Sequence, residues 1–493
     1  MDMGPHSLLD TSPLKWHGKI FDGEWRDAEG GAIPVVEPAT GKDLGTVGAA
    51  SVRDVRRCVT RAREARAAWA AAPYIERAGV LRRAAELWTE HSTEVQDWLM
   101  RESGGVRRKA MYELRGAVQE CLEAAALPSH ALGEVLPSEK ADLSMSRRVP
   151  VGVVAVIAPF NLPLKLSIRS VAPALALGNA VLLKPDPRTP VSGGLVLARI
   201  FEEAGLPPGL LHILPGGADI GSALVTDPGV RAVSFTGSSR TGRVVGELAA
   251  RHLTRAHLEL GGNSALIVMA DADLDRAVPA AAHGSFFHQG QGCMVVGRHL
   301  VHESIYDTYV ERLAEKAGSL TVGNPMTEDV ALGPLIDEHQ RDSVHALVTG
   351  SVDAGARLLT GGTYNGLFYR PTVLANTGPG APAYENEVFG PVASVTPFAT
   401  ADDAVRLAND SVYGLSLGVL TADVGAGLAL ADRIPTGTAH INDQTLNDDA
   451  NAPFGGMGES GNASRFGGAA ANIEAYTDTR WITARATIPS YPM

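Results

Sequence analysis

The sequence predicts an α/β protein of two domains, a Rossmann-like parallel-sheet domain and a second α/β domain, with a small additional element. Three observations carry this expectation. At 493 residues the chain exceeds what one core supports, since single cores stop growing at roughly 250–300 residues. From residue 150, short apolar runs at 151–157, 180–183, 210–214, 230–235 and 257–260 alternate with helix-like segments near 162–176, 190–204, 218–226 and 239–253. A second α/β pattern follows from about 264 to 460, with runs at 264–268 and 411–420.

Taken in order, the first clear element is a helix after Ser51. Ser51 and Asp54 have the spacing of a capping box, and Val52, Val55, Cys58, Val59, Ala62, Ala65 and Trp69 follow at helical intervals. Cys58 reads as a core residue of that helix, and Cys121 as a core residue of a similar stretch, because free cysteine is commonly buried. The runs after 150 are short and nearly continuous rather than alternating, which is the pattern of parallel strands covered on both faces. Right-handed crossovers between them make the Rossmann-like arrangement. The segments at 130–149 and after 474 are polar or irregular and fit neither sheet. No internal repeat or low-complexity tract is present.

The composition, 45% hydrophobic and 20% charged, is that of an ordinary globular protein. A net charge of −12 argues against a nucleic-acid or anionic-membrane partner, either of which calls for a basic face. Met1 to His6 hold no basic stretch leading into an apolar run, so no secretory signal is expected. The apolar stretches are broken by Gly, Pro or Asn before reaching the roughly 20 residues of a membrane span. Three cysteines do not make a disulfide framework, and a cytoplasmic setting is expected. The 14 histidines are scattered; His283 and His288 lack zinc spacing and companion ligands, so no metal is expected.

Four stretches could carry chemistry. Cys293 follows His288-Gln-Gly290-Gln-Gly292, where glycines let the backbone approach a substrate closely, and a thiol becomes nucleophilic once a base or local field favours its thiolate. Glu259 closes an apolar run, a costly place for a carboxylate unless it is paired or functional, for example as a general base. Phe235-Thr-Gly237-Ser238 lies between a strand and a helix, where amide N–H groups and the helix dipole bind pyrophosphate. Asn161, after Pro159-Phe160, ends the first strand and can donate to an oxyanion. Each has a structural alternative: a buried cysteine beside a turn, an outward or arginine-paired carboxylate, an unremarkable glycine turn, and an Asn turn before proline.

Their order and spacing are more specific than any one of them. The sequence resembles the aldehyde dehydrogenase superfamily over nearly its whole length, through Pro159-Phe160-Asn161, Lys184-Pro185, Phe235-Thr236-Gly237-Ser238, Glu259-Leu-Gly-Gly262, Gly290-Gln-Gly-Cys293, Glu387-Val-Phe389-Gly-Pro391 and Pro453-Phe-Gly-Gly456. Lys184-Pro-Asp-Pro-Arg-Thr189, Gly297-Arg-His-Leu-Val-His302, His440-Ile-Asn-Asp-Gln444 and Trp481-Ile482 look like its benzaldehyde and vanillin dehydrogenase branch.

The resemblance implies that Cys293 attacks the aldehyde, that Asn161 and the Cys293 N–H stabilise the oxyanion, and that Glu259 activates the water that hydrolyses the thioester. It implies NAD as cofactor, with NADP admitted. Lys184 would reach the adenosine ribose, Gly237 and Ser238 the pyrophosphate, and Glu387 with Phe389 the nicotinamide ribose and ring; Phe160 and Gly261 complete the cofactor set. It places a cofactor domain at 1–128 and 150–262, a catalytic domain at 263–462, and an oligomerisation element of a homodimer or homotetramer at 129–149 and 474–493. The sequence departs from the family twice. Pro187 and Arg188 stand where a ribose-binding Glu is common, which removes a barrier to NADP and leaves Arg188 to assist it. Arg465-Phe466 stands where an Arg-Glu pair is frequent, which puts a second-glutamate proton relay in doubt.

Leu162, Lys165, Leu166 and Arg169 fall on one helical face, and the resemblance makes this face, with Met294 and Phe454, the wall of a substrate tunnel. Either Lys165 and Arg169 bind a polar or anionic aldehyde, as a semialdehyde dehydrogenase would require, or Asp448 and Asp449 neutralise them. An aryl aldehyde is the expected substrate. An inactive protein on the same scaffold is the alternative of another class, against which Cys293, Glu259 and Asn161 together argue.

Overall fold

The computed structural model describes residues 7–9, 16–140 and 142–491. Residues 1–6, on which the expectation about a secretory signal rests, lie outside them, as do 141 and 492–493 of the segments assigned to oligomerisation. Ser51 opens the helix Val52–Ala71 as expected: its hydroxyl accepts the Asp54 N–H at 3.1 Å and the Asp54 carboxylate accepts the Ser51 N–H at 2.8 Å. The exchange satisfies donors that the first helical turn leaves unpaired. Cys58 and Cys121 are both fully buried in helices.

The first sheet has seven strands in the order Arg255–Glu259, Val230–Thr236, Val153–Ile157, Ala180–Lys184, Leu211–Ile213, Lys19–Phe21, Trp25–Asp27. The first five are parallel, and the last two form an antiparallel edge. Every residue of Val153–Ile157 and Ala180–Lys184 is buried, which is why these strands read as unbroken apolar runs. The strand order reverses between Val153–Ile157 and Val230–Thr236. In an open α/β sheet, the crevice beyond the carboxyl ends of the strands at such a reversal is where ligands bind.

The second sheet runs Arg357–Thr360, Thr372–Ala375, Val392–Phe398, Val296–His302, Ser264–Val268, Ser416–Leu420, Thr438–Ile441. Only Arg357–Thr360 is antiparallel to its neighbour. Leu266 and Val268 pack into one core and Ala265 and Ile267 into another, the two-residue alternation of a strand covered on both sides.

The segments that read as irregular form a third sheet. Thr477–Ala484 pairs antiparallel with Leu143–Pro150, which pairs with Gly133–Val135. They lie outside both large sheets, as expected; that they are strands is not visible in the sequence, because Leu143–Pro150 finds its longest partner far along the chain and local periodicity carries no trace of that. No helix among the described residues is long and apolar enough to cross a membrane. Among them, no group of three or more His, Cys, Asp and Glu could hold a metal ion.

Candidate active site

The carboxyl ends of the first sheet's strands supply one side of the site. Lys184 and Glu259 are the last residues of their strands, Asn161 follows Ile157, and Ser238 follows Thr236. Loops entering the second sheet supply the other side, with Cys293 before Val296–His302 and Glu387 and Phe389 before Val392–Phe398. The two sides touch. The Gly262 N–H donates to Glu387 Oε1 at 3.1 Å, the Phe160 and Phe389 rings meet edge-on at 5.8 Å, and a Cβ on Gly262 would lie 2.7 Å from the Cys293 carbonyl oxygen.

The loop that presents Cys293 is held in an unusual shape. His288, Gln289 and Gly290 have φ of 50°, 56° and 68°, a region that side chains other than glycine rarely adopt. Gln289 Nε2 donates to the Gly104 and Pro334 carbonyls at 2.9 and 2.8 Å, and Gln291 Oε1 accepts the Ile336 N–H at 3.0 Å. These contacts fix the conformation against its own strain. Gly290 is required twice over, because a Cβ there would also lie 2.0 Å from the Gly390 carbonyl oxygen. Displacing a reacting group by about 1 Å can cost ~10²-fold in rate, so Gly290→Ala is expected to lower kcat by about that factor. An unchanged kcat in steady-state assays would show that this loop does not position the chemistry.

Burial, and then the neighbouring Glu387 and Glu259, push the Cys293 thiol up to about 12. The resting thiol is therefore neutral. Its neighbours Met294, Leu415, Leu446 and Phe454 make an apolar pocket wall. Glu259 is 3% exposed and makes no ion pair among the described residues. Its Oε1 has no hydrogen-bond partner. Burial pushes its carboxyl up to about 8, against the pull of Arg169 and Arg465. Glu259 neither turns outward nor pairs directly with an arginine, so the bland readings of this residue fail. Asn161 is buried in the turn before the helix Pro163–Ala176. His288 is buried beside this turn, and burial followed by the charge on Lys109 holds its ring well below the ordinary histidine pKa. Phe466 is buried with its ring 5.9 Å from His257, and its phenyl ring cannot relay a proton as a glutamate would.

The residues expected around a dinucleotide are arranged unevenly. Lys184 is buried, and its ammonium has no hydrogen-bond or ion-pair partner among the described residues. Burial lowers its pKa, with Asp186 and Asp219 opposing. A buried ammonium without a partner is costly, and ribose hydroxyls would satisfy it. Ser238 caps the helix Ser239–Arg251, accepting the Thr241 N–H at 3.3 Å. Gly237, beside it, donates its N–H to the Glu259 carbonyl at 3.0 Å, so the Ser238 end of the turn has the freer amides. Gly261 makes room for the Glu387 carboxylate, which a Cβ would approach to 2.1 Å. The expectation for Arg188 is corrected. Its Nε and Nη2 donate to Asp186 at 2.8 and 2.9 Å, its Nη1 donates to Asp337 at 2.8 Å, and it stacks on Phe160 at 4.1 Å. Three of its five N–H groups are so engaged, and two carboxylates already balance its charge.

The expected tunnel face divides. Leu162 and Met294 line a cavity beside Cys293. Lys165 and Arg169 do not: they turn inward, where Lys165 Nζ lies 3.1 Å from Asp448 Oδ2 and Arg169 pairs with the same carboxylate and, at 3.6 Å, with Glu120. Asp448 alone serves both cations, and Asp449 is exposed. Leu166 is buried away from the cavity, and Phe454 packs on Met294, under the Arg169 guanidinium at 4.8 Å. The cavity is ≈ 150 Å³, and its remaining aromatic wall comes from Tyr112, His283 and Phe287. None of these three carried a signal in the sequence, because they sit on helices far along the chain whose faces show no motif.

Residues 25–482 match the model of the aldehyde dehydrogenase family. The chain is 66% identical to a vanillin dehydrogenase of Amycolatopsis sp., covering 99% of this chain and 100% of that one. It is 48% identical to the benzaldehyde dehydrogenase [NAD(+)] of Pseudomonas putida, covering 97% and 98%. Its fold matches the crystal structure of a salicylaldehyde dehydrogenase from Pseudomonas putida G7 complexed with salicylaldehyde, with a TM-score of 0.92 at 34% identity over 96% of this chain and 99% of that one.

Proposed function

The chain belongs to the aldehyde dehydrogenase family, and from that premise we propose that it oxidises an aryl aldehyde to the carboxylic acid, using NAD. The observation that carries the substrate class is the cavity beside Cys293. Its ≈ 150 Å³ matches the volume at which an apolar cavity takes up one benzene ring, and its walls are largely aromatic and aliphatic. A semialdehyde with a carboxylate tail is disfavoured, because the two cations that would hold it are already consumed by Asp448 and Glu120.

The residues divide the work as follows. Glu259 takes the Cys293 proton as the thiolate attacks the aldehyde carbon; a base near pKa 8 keeps appreciable carboxylate at neutral pH. The Asn161 amide and the Cys293 N–H donate to the oxyanion of the tetrahedral adduct, where one such donor is worth about 3–4 kcal/mol of barrier. A bound nicotinamide dinucleotide supplies the hydride acceptor that converts the adduct to a thioester. Glu259 releases the thiol proton to solvent, then removes a proton from water as it attacks the thioester carbon, and passes that proton to the departing Cys293 thiolate. Lys184 would hold the adenosine ribose, the Ser238-capped helix end the pyrophosphate, and Glu387, Phe389 and Phe160 the nicotinamide ribose and ring. Pro187 leaves no carboxylate to repel a 2′-phosphate, while Asp186 and Asp337 already balance the Arg188 charge, and the similarity to a benzaldehyde dehydrogenase [NAD(+)] supports NAD as the preferred form.

We assign residues 1–128 and 150–262 to cofactor binding and 263–462 to catalysis. The third sheet leaves Val135 and Trp481 more than 70% exposed, an apolar surface suited to joining copies of this chain into a homodimer or homotetramer.

A substrate panel followed by NADH formation tests this reading. Benzaldehyde or vanillin should exceed succinic semialdehyde by ~10²-fold or more in kcat/KM, and NAD should exceed NADP. A preference for the semialdehyde would overturn it.

A titration gives a separate check. The kcat/KM for an aryl aldehyde should rise as pH passes through about 8, where Glu259 ionises, and Glu259→Gln should remove that rise. Stability has the opposite sign. A carboxyl raised from 4.5 to about 8 on folding contributes most below pH 4.5 and loses that contribution as pH climbs to 8. Glu259→Gln should therefore weaken the pH dependence of the thermal midpoint across that window, and a steeper dependence would contradict the burial argument.

A further inference from the structure

The inference concerns Tyr112 and rests on the reading that the cavity beside Cys293 takes an aryl aldehyde. Lys165 turns its ammonium inside the protein, donating to the Tyr112 hydroxyl and to the Asp448 carbonyl, each at 2.9 Å, with Asp448 Oδ2 at 3.1 Å as its ion-pair partner. An ammonium has three donors and no acceptor. The Tyr112 oxygen must therefore be the acceptor in this pair, and its own proton must point elsewhere. Among the described residues no acceptor lies within hydrogen-bond distance of it.

The surroundings fix the ring as well as the hydroxyl. Tyr112 stands edge-on to Phe287 at 5.8 Å, and Lys165 Nζ lies 4.4 Å from its ring centroid. Gly116, one turn further along the same helix, makes this possible, because a Cβ there would press on the Lys165 stem at 3.0 Å. Tyr112 lines the cavity beside Cys293. A hydroxyl that accepts from a cation is polarised toward donating its own proton.

The geometry points to Tyr112 as a specificity-determining hydrogen-bond donor, giving its proton to an oxygen substituent, hydroxyl or methoxy, on the ring of the bound aldehyde. Lys165 is the group that aims it. The buried cation expected to grip a substrate carboxylate thus acts at one remove, by orienting a neutral phenol toward an uncharged oxygen. This also gives a reason for a buried ammonium on a helix face that an apolar side chain would fill at lower cost.

The test is a ratio. For Tyr112→Phe, kcat/KM for 4-hydroxy-3-methoxybenzaldehyde relative to benzaldehyde should fall about tenfold, the scale of one lost hydrogen bond. An unmoved ratio, whatever happens to the absolute rates, overturns the inference. A wild-type comparison covers a variant that fails to fold: methoxybenzaldehydes should exceed methylbenzaldehydes of similar shape by about tenfold at the meta or the para position. Equal treatment at both positions overturns it too. Oxidation of benzaldehyde with an unmoved ratio removes this inference alone, whereas a wild-type chain that oxidises no aryl aldehyde removes the proposed function with it.

Discussion

The Cys293→Ala chain is expected to keep its fold and to oxidise aryl aldehydes at least ~10⁴-fold more slowly, the scale of loss when a covalent nucleophile is removed. The fold should survive because the loop does not depend on the sulfur. Its shape is set by Gln289 on Gly104 and Pro334, by Gln291 on Ile336, and by the close approach of Gly290 to Gly390. The thiol itself packs beside Met294, Leu415, Leu446 and Phe454 and makes no hydrogen bond on which the loop depends. NADH formation and a thermal melt on the same sample separate the two effects. A rate near that of wild type would mean that another group attacks the aldehyde.

Asp448→Ala should be the most damaging single change to stability around the site. The Asp448 side chain is 3% exposed and is the shared partner of Lys165 and Arg169, themselves 3% and 4% exposed. Removing it leaves two buried cations with Glu120 as the remaining acid, at 3.6 Å from Arg169. Stripping one partner from a buried ion pair costs about 3–5 kcal/mol. At about 1 °C per kcal/mol for a chain of 493 residues the thermal midpoint should drop by ~3–5 °C. A midpoint within a degree of wild type would show that solvent reaches these cations. The same variant frees the Lys165 ammonium to move, so it should also lose part of any preference for ring-oxygenated aldehydes.

The contrast between Arg169 and Glu259 shows where the sequence was legible. Glu259, Asn161, Lys184 and Ser238 all lie at or just past the ends of parallel strands. Those strands are short, buried on both faces and separated by crossover helices, so their ends could be located from hydrophobic pattern alone. The strand ends then place the chemistry. Cys293 was visible for a different reason, since glycines around a lone thiol are a local signature.

Residues whose meaning comes from a distant partner were not legible. Lys109 and Glu113 have the spacing of a surface pair on a helix, yet both are completely buried, and Glu113 accepts the N–H groups of Leu164 and Lys165 at the start of another helix. Lys165 and Arg169 could be read either as substrate ligands or as cations neutralised by Asp448 and Asp449, and only the fold shows that Asp448, from a loop near the other end of the chain, serves both. Arg188 looked free for a phosphate, and Asp186 and Asp337 engage it. The third sheet was not legible as strands because its middle strand pairs with one far along the chain. Periodicity reports how a segment faces its own core, and it is silent on which remote side chain completes a charge or a ladder.

The central claim is that the aldehyde carbon becomes bonded to Cys293 as a thioester that Glu259 releases. Mixing the Glu259→Gln enzyme with NAD and benzaldehyde, quenching in acid and mapping the modified peptide by mass spectrometry tests it most directly. The account predicts about one equivalent of NADH per site, formed more slowly because the thiol has lost its base, matched by a benzoyl group on the peptide that contains Cys293 and persisting because its hydrolysis is slowed. A full equivalent of NADH with no acyl group on Cys293, or with the group on another residue, would contradict it.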